Sequence, residues 1–171
     1  MSRNYSFKEY FLRGLWILIW PFFRLSLRHA YFWRVFLLRL FGARIGKGVK
    51  IFPSAQIQFP WKLTIGDNVV ISWGVILYNL GSITIEDDVI ISQRAHLCAG
   101  THEYSNEQFP LIKGHIIIKK GAWIAAEAFI GPEVTISEKS VIGARAVVFK
   151  STKPYGVYGG NPAQLIKDLD S

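Results

Sequence analysis

Cysteine is almost absent from this sequence of 171 residues, in which Cys98 stands alone. No disulfide can form within the chain, which excludes the class of small secreted domains held together by several disulfides. Cys98 stands among aliphatic and small residues. We therefore interpret it as core packing in a reducing compartment and favour that role over a nucleophilic one.

Long apolar runs are also missing. Within residues 1–44 the longest stretch without a charged residue, Gly14–Phe23, covers ten residues and contains Pro21. A helix needs about twenty apolar residues to span a bilayer, so a simple transmembrane helix is not predicted. The stretch also lacks a small-residue cleavage site after it, which argues against a secretory signal peptide.

Acidic residues are scarce in the first part of the chain. Residues 1–50 hold ten lysines and arginines and one acid, Glu9, for a net charge of +9, whereas residues 51–171 have a net charge of −1. A nucleic-acid-binding protein would carry basic residues on an identifiable folded module. No such module is found, so no nucleic-acid partner is predicted.

Aromatic and aliphatic clusters interrupted by single arginines fill residues 1–44. We predict a basic, aromatic-rich helical segment in which Pro21 separates two helical pieces. One interpretation places residues 1–40 on a membrane surface, with rings inserted and arginines on anionic headgroups. The other packs the segment on the end of the main domain or on a neighbouring subunit, because the end of a solenoid has to be covered. The two are compatible, and both stay open here.

Aliphatic residues recur every six positions beyond residue 44. The positions are Ile45, Ile51, Ile57, Ile65, Ile71, Leu77, Ile85, Ile91, Leu97, Ile118, Ile124, Ile130, Ile136, Ile142 and Val148. A period of six fits neither a helix nor simple strand alternation and is typical of a parallel β-helix. A chance pattern in a β-sandwich is the alternative, and fifteen residues in phase argue against it.

Three hexapeptides supply one triangular coil, so the series predicts five coils, at residues 45–62, 65–82, 85–102, 118–135 and 136–153. Slips of two residues fall near Leu63-Thr64 and Ile83-Thr84. The predicted fold class is all-β: a parallel β-helix over residues 45–153, with a loop at 103–117 and the N-terminal helical segment before it. Residues 154–171 are a C-terminal extension, in which Gln164 to Asp168 are predicted to form a short helix. Because only stacked neighbours close the core, five coils make one domain.

Several aromatic residues of the first two coils lie outside the core positions: Phe52, Phe59, Trp61, Trp73 and Tyr78. We interpret most of them as prism faces buried in an oligomer. The alternative is that Trp73 and Tyr78 form a platform for a sugar ring.

His102 is the last residue before the break in the repeat, at the root of a polar loop of fifteen residues. Long ordered loops in compact domains are usually functional. A neutral imidazole takes up protons near pH 7, and O-acyl transfer from a thioester needs such a base and a donor to the oxyanion. We predict His102 as this base, with Glu103 and Glu127 as candidates for orienting its ring. A surface histidine without a role is the alternative.

Two further function classes stay open. A β-helix metalloenzyme of the carbonic-anhydrase kind needs several histidines converging on one metal. His96 and His102 are six residues apart, so they fall on different faces of the triangle, and no metal is predicted. A non-catalytic hexapeptide-repeat scaffold is the other alternative.

Three segments, in this order and with these gaps, resemble a known family: Gly100-Thr101-His102-Glu103-Tyr104, Gly121-Ala122-Trp123-Ile124-Ala125 and Gly159-Gly160-Asn161-Pro162-Ala163. Together with the hexapeptides they are similar to the left-handed β-helix acetyltransferases of the maltose, galactoside and nodulation type. Leu37 to Gly46 and Tyr78-Asn79-Leu80 look closest to the colanic-acid-biosynthesis branch. The resemblance covers about residues 37–168.

The resemblance implies a left-handed β-helix, acetyl-CoA as the donor, and a homotrimer with an active site in each groove between neighbouring prisms. His102 falls on the family's catalytic histidine and Asn79 on its acceptor-side wall. We predict Trp73, Tyr78 and Glu103 as further acceptor contacts. The implied cofactor contacts are Trp123 beside the CoA arm, Ala126 and Ala144 in the pantetheine groove, Lys150 and Lys167 near the phosphates, and Pro162 near the adenine.

The sequence departs from the family pattern at Ala125 and Ser137, where glycine is usual, and at Phe149, where threonine is frequent and a CoA contact would change. The predicted function is an acetyl-CoA-dependent O-acetyltransferase acting on a sugar hydroxyl in surface polysaccharide biosynthesis. We expect it in the cytoplasm, at the inner face of the membrane if residues 1–40 bind lipid. The hydrophobic N-terminus argues against a freely soluble sugar as the acceptor.

Overall fold

Three β-sheets form the walls of a triangular prism in the computed structural model, which describes residues 6–170. The strands are, in chain order, β1 (Arg44–Ile45), β2 (Lys50–Ile51), β3 (Gln56–Ile57), β4 (Leu63–Ile65), β5 (Val70–Ile71), β6 (Ile76–Tyr78), β7 (Ile83–Ile85), β8 (Ile90–Ile91), β9 (His96–Cys98), β10 (Gly100–His102), β11 (Leu111–Lys113), β12 (Ile116–Ile118), β13 (Trp123–Ile124), β14 (Phe129–Ile130), β15 (Val134–Ile136), β16 (Val141–Ile142), β17 (Val147–Val148), β18 (Gly156–Gly159) and β19 (Gln164–Asp168).

Each coil contributes one strand to every wall. Sheet A has the order β1-β4-β7-β12-β15, sheet B the order β2-β5-β8-β13-β16-β18-β19, and sheet C the order β3-β6-β9-β14-β17. We name the three edges of the prism by the sheets that meet there: corners A/B, B/C and C/A. The parallel β-helix of five coils predicted from the period of six is confirmed.

The strand register shows where coils differ in length. Leu63 pairs with Ile83, twenty residues on, whereas Ile118 pairs with Ile136, eighteen residues on. The two predicted slips of two residues therefore lie between the early coils. Ile85 pairs with Ile118, so the longer insertion leaves the stack in register.

Aliphatic side chains fill the prism along its whole length. In sheet B one isoleucine from each coil points inward with no exposure to solvent: Ile51, Ile71, Ile91, Ile124 and Ile142. Burial of each such side chain contributes about 1.5–3 kcal/mol. Because every layer is covered only by the next coil, the two ends of the stack need covers of their own.

Two helices cover the first coil: α1 (Phe7–Arg24) and α2 (Tyr31–Leu40). Helix α1 begins with a capping box in which Ser6 and Glu9 each satisfy the other's backbone N–H. Trp16 and Phe23 of α1 and Leu38 of α2 are buried against the prism. The predicted helical segment and its packing on the end of the domain are confirmed.

Pro21 does not separate the two helices, contrary to the prediction. It lies inside α1, and its carbonyl accepts a hydrogen bond from Leu25 N at 2.8 Å. Proline removes one helical hydrogen bond, and its ring crowds the carbonyl of the residue four positions earlier. The packing of Trp16 and Phe23 on both sides of Pro21 holds the helix together. The break comes instead at residues 25–30. Among residues 6–170 no helix has the length and apolar character needed to cross a membrane.

Arg34 of α2 is fully buried and ties this break to the prism. Its guanidinium donates to the carbonyl of Ile51 on strand β2 at 2.5 Å, to Ser26 Oγ, and to the carbonyls of Leu27 and Arg28. Burial lowers the pKa of Arg34. The planar fork of arginine suits several acceptors at once, so this side chain fixes the turn between the helices.

The predicted C-terminal helix is wrong: Gln164–Asp168 form strand β19, antiparallel to β18. Strand β18 extends sheet B at the far end of the stack and would leave an unpaired edge. Residues 164–168 pair with that edge, whereas five residues are too few for a stable helix.

Candidate active site

A β-hairpin projects from corner C/A at the third coil. Strands β10 and β11 pair antiparallel, with Gly100 opposite Lys113 and His102 opposite Leu111. Gly114 N donates to Ala99 O at 3.0 Å and closes the base. A Cβ on Gly81 would collide with the Gly114 carbonyl, so glycine is needed where the chain returns. The segment predicted as a loop at 103–117 is thus largely this hairpin and the start of β12.

His102 lies on the exposed face of the hairpin, and a backbone carbonyl orients its ring. Its Nδ1 lies 2.6 Å from the carbonyl oxygen of Phe109. Because a carbonyl only accepts hydrogen bonds, Nδ1 carries the proton in this arrangement, and Nε2 of the neutral ring keeps its lone pair. The geometry therefore presents Nε2 as a base.

Phe109 reaches this position through an unusual turn. Its φ is +43°, in the left-handed region, and its N–H donates to Asn106 O at 2.9 Å. Glu103 N in turn donates to Pro110 O at 3.0 Å, which closes the hairpin tip. The turn aims the Phe109 carbonyl back at His102.

Neither predicted carboxylate orients His102. Glu103 accepts hydrogen bonds from the Ser105 hydroxyl and N–H, which hold the pKa of Glu103 below its usual value. Glu127 pairs with Arg145 and Arg94 at 2.6 Å each, and these contacts lower the pKa of Glu127. Among residues 6–170, both carboxylates therefore bind partners other than His102.

The predicted acceptor residues are spread over the prism. Asn79, at corner C/A, is completely buried; it accepts hydrogen bonds from Gln58 N and Phe59 N and donates to Phe59 O. Its amide joins two coils and offers no open surface to a ligand in the single chain.

Tyr78 is half-buried on sheet C, with its ring edge-on to His96 at 6.4 Å. Trp73 is exposed at corner B/C beneath the Arg94 guanidinium. Tyr78 and Trp73 therefore do not form one platform.

Small residues line corner B/C in the last two coils. Ala126 and Ala144 lie one above the other, and Arg145 N donates to Ala126 O at 2.9 Å. Above them, Val147 N donates to Gly160 O in the turn that holds Pro162. The exposed ring of Trp123 lies on sheet B, with its indole N–H donating to Ser92 Oγ at 2.9 Å.

The predicted lysines are exposed at the same end of the stack. Lys150 follows β17 at corner C/A, and Lys167 lies in β19 opposite Val157. An axial line of alanines with a flat exposed ring beside it fits a narrow, elongated ligand, and the exposed lysines at that end of the stack suit phosphates. Among residues 6–170 no cluster of three or more His, Cys, Asp or Glu side chains could hold a metal ion.

His102 and the small-residue line lie at different corners of one prism. The hairpin leaves from corner C/A, whereas Ala126, Ala144 and the neighbouring Trp123 lie at or beside corner B/C. The width of sheet C separates the two groups within one chain. In a single chain, His102 and the small-residue line therefore face different ways.

Two features of this site escaped sequence reasoning. The Phe109 carbonyl is a backbone group, so no residue type signals it. The ion-paired ladder Arg94–Glu127–Arg145 does have a signal, because Glu127 and Arg145 are eighteen residues apart, which is one coil. Cys98 is half-buried, and burial raises the pKa of its thiol, which agrees with a packing role.

No family model matches the chain. Individual related proteins do match the chain. The chain is 44% identical over 153 residues, 90% of its length and 84% of the relative's, to WcaF of Escherichia coli (strain K12), whose name provisionally assigns it to colanic acid biosynthesis as an acetyltransferase. It is 26% identical over 136 residues to the galactoside O-acetyltransferase of the same organism, over 75% of this chain and 64% of that protein.

Solved structures show the same architecture. A hexapeptide-repeat acetyltransferase of Vibrio cholerae, complexed with acetyl coenzyme A, superimposes with a TM-score of 0.90 at 26% identity and covers 100% of this chain and 94% of that one. A galactoside acetyltransferase in complex with coenzyme A gives a TM-score of 0.90 at 23% identity, over 98% and 86% of the two chains.

Proposed function

The chain belongs to the left-handed β-helix, hexapeptide-repeat acetyltransferases, and from this membership we propose that it acetylates a sugar hydroxyl during the synthesis of a surface polysaccharide. It is an acyltransferase that uses acetyl-CoA. The proposal concerns the acceptor, the residues and the assembly. WcaF and the galactoside enzyme support the carbohydrate acceptor through their names.

The observation that carries the mechanism is the hydrogen bond from His102 Nδ1 to the Phe109 carbonyl, 2.6 Å long. With Nδ1 protonated, Nε2 takes the proton from the sugar hydroxyl while the hydroxyl oxygen bonds to the carbonyl carbon of the thioester. The Phe109 carbonyl stabilises the imidazolium that forms. When the carbon–sulfur bond breaks, Nε2 returns the proton to the departing sulfur, so the ring ends as it began.

The proposed assembly is a homotrimer, because one chain carries the two halves of the site at different corners. If sheet C faces a threefold axis, its two bounding corners meet those of the neighbours. Corner C/A of one chain, with His102, then lies against corner B/C of the next, with Ala126 and Ala144. Each of the three grooves would hold one complete site.

The outward side chains of sheet C support this arrangement. In the first coil the outward residue Gln56 is exposed and polar, but from the second coil onward they include half-buried apolar or aromatic residues: Ile76, Tyr78, His96, Phe129 and Val147. The matching positions of sheet A include Thr64, Thr84 and Thr135. His96 Nε2 is buried without a hydrogen-bond partner within the described chain, and burial lowers the pKa of His96. A neighbouring copy on sheet C would cover the apolar residues.

The donor side is proposed to use Trp123, Ala126, Ala144 and Pro162 at or beside corner B/C, together with Lys150 and Lys167, which are exposed at the far end of the stack. Lysines there offer point charges to phosphates. The reaction draws on acetyl-CoA, so we place the enzyme on the cytoplasmic side of the membrane.

Calorimetric titration of acetyl-CoA into wild type and His102→Ala, combined with a thiol-release assay on a panel of sugars, tests the proposal. We expect unchanged binding in the variant and a loss of turnover of about 10²–10⁴-fold. His115→Ala is the matched control, because His115 is also exposed at the base of the hairpin, where its Nδ1 contacts Ser82 Oγ at 2.7 Å.

Full turnover in His102→Ala would overturn the assignment of the base. Acetyl-CoA binding without transfer to any sugar would overturn the sugar acceptor. Absence of binding in both proteins would favour the non-catalytic scaffold.

A further inference from the structure

The side of α1 that faces away from the prism carries a continuous apolar stripe. Its members recur at helical spacing, and each is between 38% and 83% exposed: Phe7, Phe11, Leu15, Leu18, Phe22 and Leu25. We call this stripe the outer face of α1. Helix α2 adds a shorter exposed stripe, Phe32, Phe36 and Leu40. The two are linked by Trp33, whose indole N–H donates to Phe22 O at 3.2 Å and whose ring stacks on Phe36.

The opposite side of α1 is already used. Trp16 and Phe23 pack into the core, and the Trp16 indole N–H donates to Ile57 O at 2.8 Å. A surface helix normally presents polar residues to water on the side away from the core. Helix α1 is apolar on both sides instead, and such an exposed area marks an interaction surface.

The charges around the outer face are almost all positive. Lys8, Arg24 and Arg28 are exposed at its flanks, and Arg39 is exposed near the stripe of α2. The one acid of residues 6–50 is Glu9, whose carboxylate pairs with Lys62 Nζ at 2.8 Å on the prism side. A second copy docking face to face would bring two positive rims together, whereas an anionic surface would neutralise them.

We propose that the outer face of α1 and the stripe of α2 form a docking surface for an anionic lipid bilayer. The aromatic and aliphatic side chains enter the headgroup region, with α1 lying in the plane of the interface, and the arginines contact lipid phosphates. Helix α1 lies flat because Trp16 and Phe23 hold its other side on the prism.

Contacts at the start of α1 connect the docking surface to the candidate active site. Lys62, the partner of Glu9, also donates to Leu80 O at corner C/A, at 2.8 Å. The positive charge of Lys113 on the hairpin adds a minor contribution to the low pKa of Glu9. This arrangement keeps the His102 hairpin close to the bilayer. On the proposed acetyltransferase function, on which this step rests, a lipid-linked sugar would be presented there.

Vesicle co-flotation of the full chain tests the docking surface without any substrate. The probes are phosphatidylcholine vesicles with and without phosphatidylglycerol. We expect flotation with the anionic vesicles, weakened by high salt. We expect the double variant Phe11→Ser/Leu18→Ser to lower the partition coefficient by at least about tenfold, because two inserted side chains are removed. Arg24→Gln/Arg28→Gln should lower it severalfold, on anionic vesicles only.

Ile166→Ser is the matched control, since Ile166 is an apolar residue of 67% exposure on β19, at the opposite end of the stack from α1. It should float like wild type. Circular dichroism verifies that the variants are folded. Equal flotation of wild type and Phe11→Ser/Leu18→Ser would overturn the proposal. The proposal would also be overturned if wild type did not bind vesicles and the variant formed smaller oligomers than wild type. That result would assign the outer face of α1 to contact with a second copy of the chain. Acetyl transfer is measured separately, so its failure would not be mistaken for failure of docking.

Discussion

Phe109 shows that a backbone conformation can decide the chemistry of a side chain seven residues away. Its φ of +43° aims its carbonyl at His102 Nδ1, and the side chain itself is 56% exposed. A β-branched residue adopts this region poorly, at a cost of about 1–2 kcal/mol, whereas glycine adopts it freely. The turn therefore positions the base without using the Phe109 ring.

The matched pair Phe109→Gly and Phe109→Val separates the carbonyl's role from that of the ring. We expect Phe109→Gly to keep kcat within a few-fold of wild type. We expect Phe109→Val to lower kcat about tenfold with little change in acetyl-CoA affinity, because the carbonyl moves. Steady-state kinetics and calorimetric titration provide the two readouts. Equal losses of kcat in both variants would show that the side chain matters instead.

Arg34 is the second residue whose role depends on backbone carbonyls. It is fully buried, and its partners lie on strand β2 and in the turn between the helices. We expect Arg34→Lys to lower the free energy of unfolding by about 3 kcal/mol, because an ammonium group cannot reach all four acceptors and stays buried. Thermal and urea unfolding measure the loss. Arg44→Lys, at an exposed arginine, should leave stability unchanged.

At the scale of elements, α1 depends on its first turn. Glu9 closes the capping box with Ser6 and pairs with Lys62, and the Lys62 hydrogen bond is the main cause that lowers the pKa of Glu9 from 4.5 to about 2. Because the folded-state pKa lies below the ordinary value, ionised Glu9 stabilises the protein above about pH 4.5. This contribution is lost as the pH falls toward 2.

Glu9→Gln tests that contribution. We expect a loss of about 1 kcal/mol at pH 7, since solvent screens a partly exposed pair. The difference from wild type should shrink as the pH falls below 4.5 and vanish near 2. Urea unfolding at several pH values checks the trend, with Glu138→Gln at an exposed site of corner A/B as the control. A difference that stays constant with pH would contradict the role of the ionised carboxylate.

Element boundaries show how far the sequence could predict the structure. The period of six predicted the coils because every sixth residue must point into the same narrow core. The helices at residues 7–24 and 31–40 were predicted in kind, but the break was placed at Pro21, where packing on the prism overrides the helix-breaking tendency. The strand at 164–168 was missed because its cause is an unpaired sheet edge, which a local pattern does not reveal.

The candidate site was predicted unevenly for the same reason. His102 stands out because it adjoins an interruption of a regular repeat. Asn79 was predicted on the acceptor-side wall; in the structure its buried amide joins two coils, because its partner Phe59 lies twenty residues earlier in the neighbouring coil. Glu103 and Glu127, predicted to orient the ring of His102, contact Ser105 and two arginines instead. The spacing of one coil could have indicated the pair Glu127–Arg145, but the burial of Asn79 and the contact of His102 with a backbone carbonyl could not be deduced from spacing.

At the scale of the whole molecule, the proposed trimer predicts the effect of a charge on sheet C. Phe129 faces outward there, between the rings of His96 and Phe149 at 5.3 and 5.7 Å. We expect Phe129→Arg to give folded monomers without transferase activity, although His102 is intact in each. Light scattering and the thiol-release assay measure both outcomes. Thr84→Arg on sheet A is the control and should remain trimeric and active. An active Phe129→Arg monomer would show that one chain is sufficient.

The helices cover the first coil, and the hairpin leaves the stack at the third. Neighbouring strands in a sheet are about 4.8 Å apart, so two coils hold His102 at a fixed height of roughly 10 Å above the helices. The solenoid thus works as a molecular ruler. Adding one eighteen-residue coil between them would lengthen the ruler by a single step and leave every corner of the prism aligned. The number of coils between the helices and the hairpin would thus set the distance between them, with no change to either element.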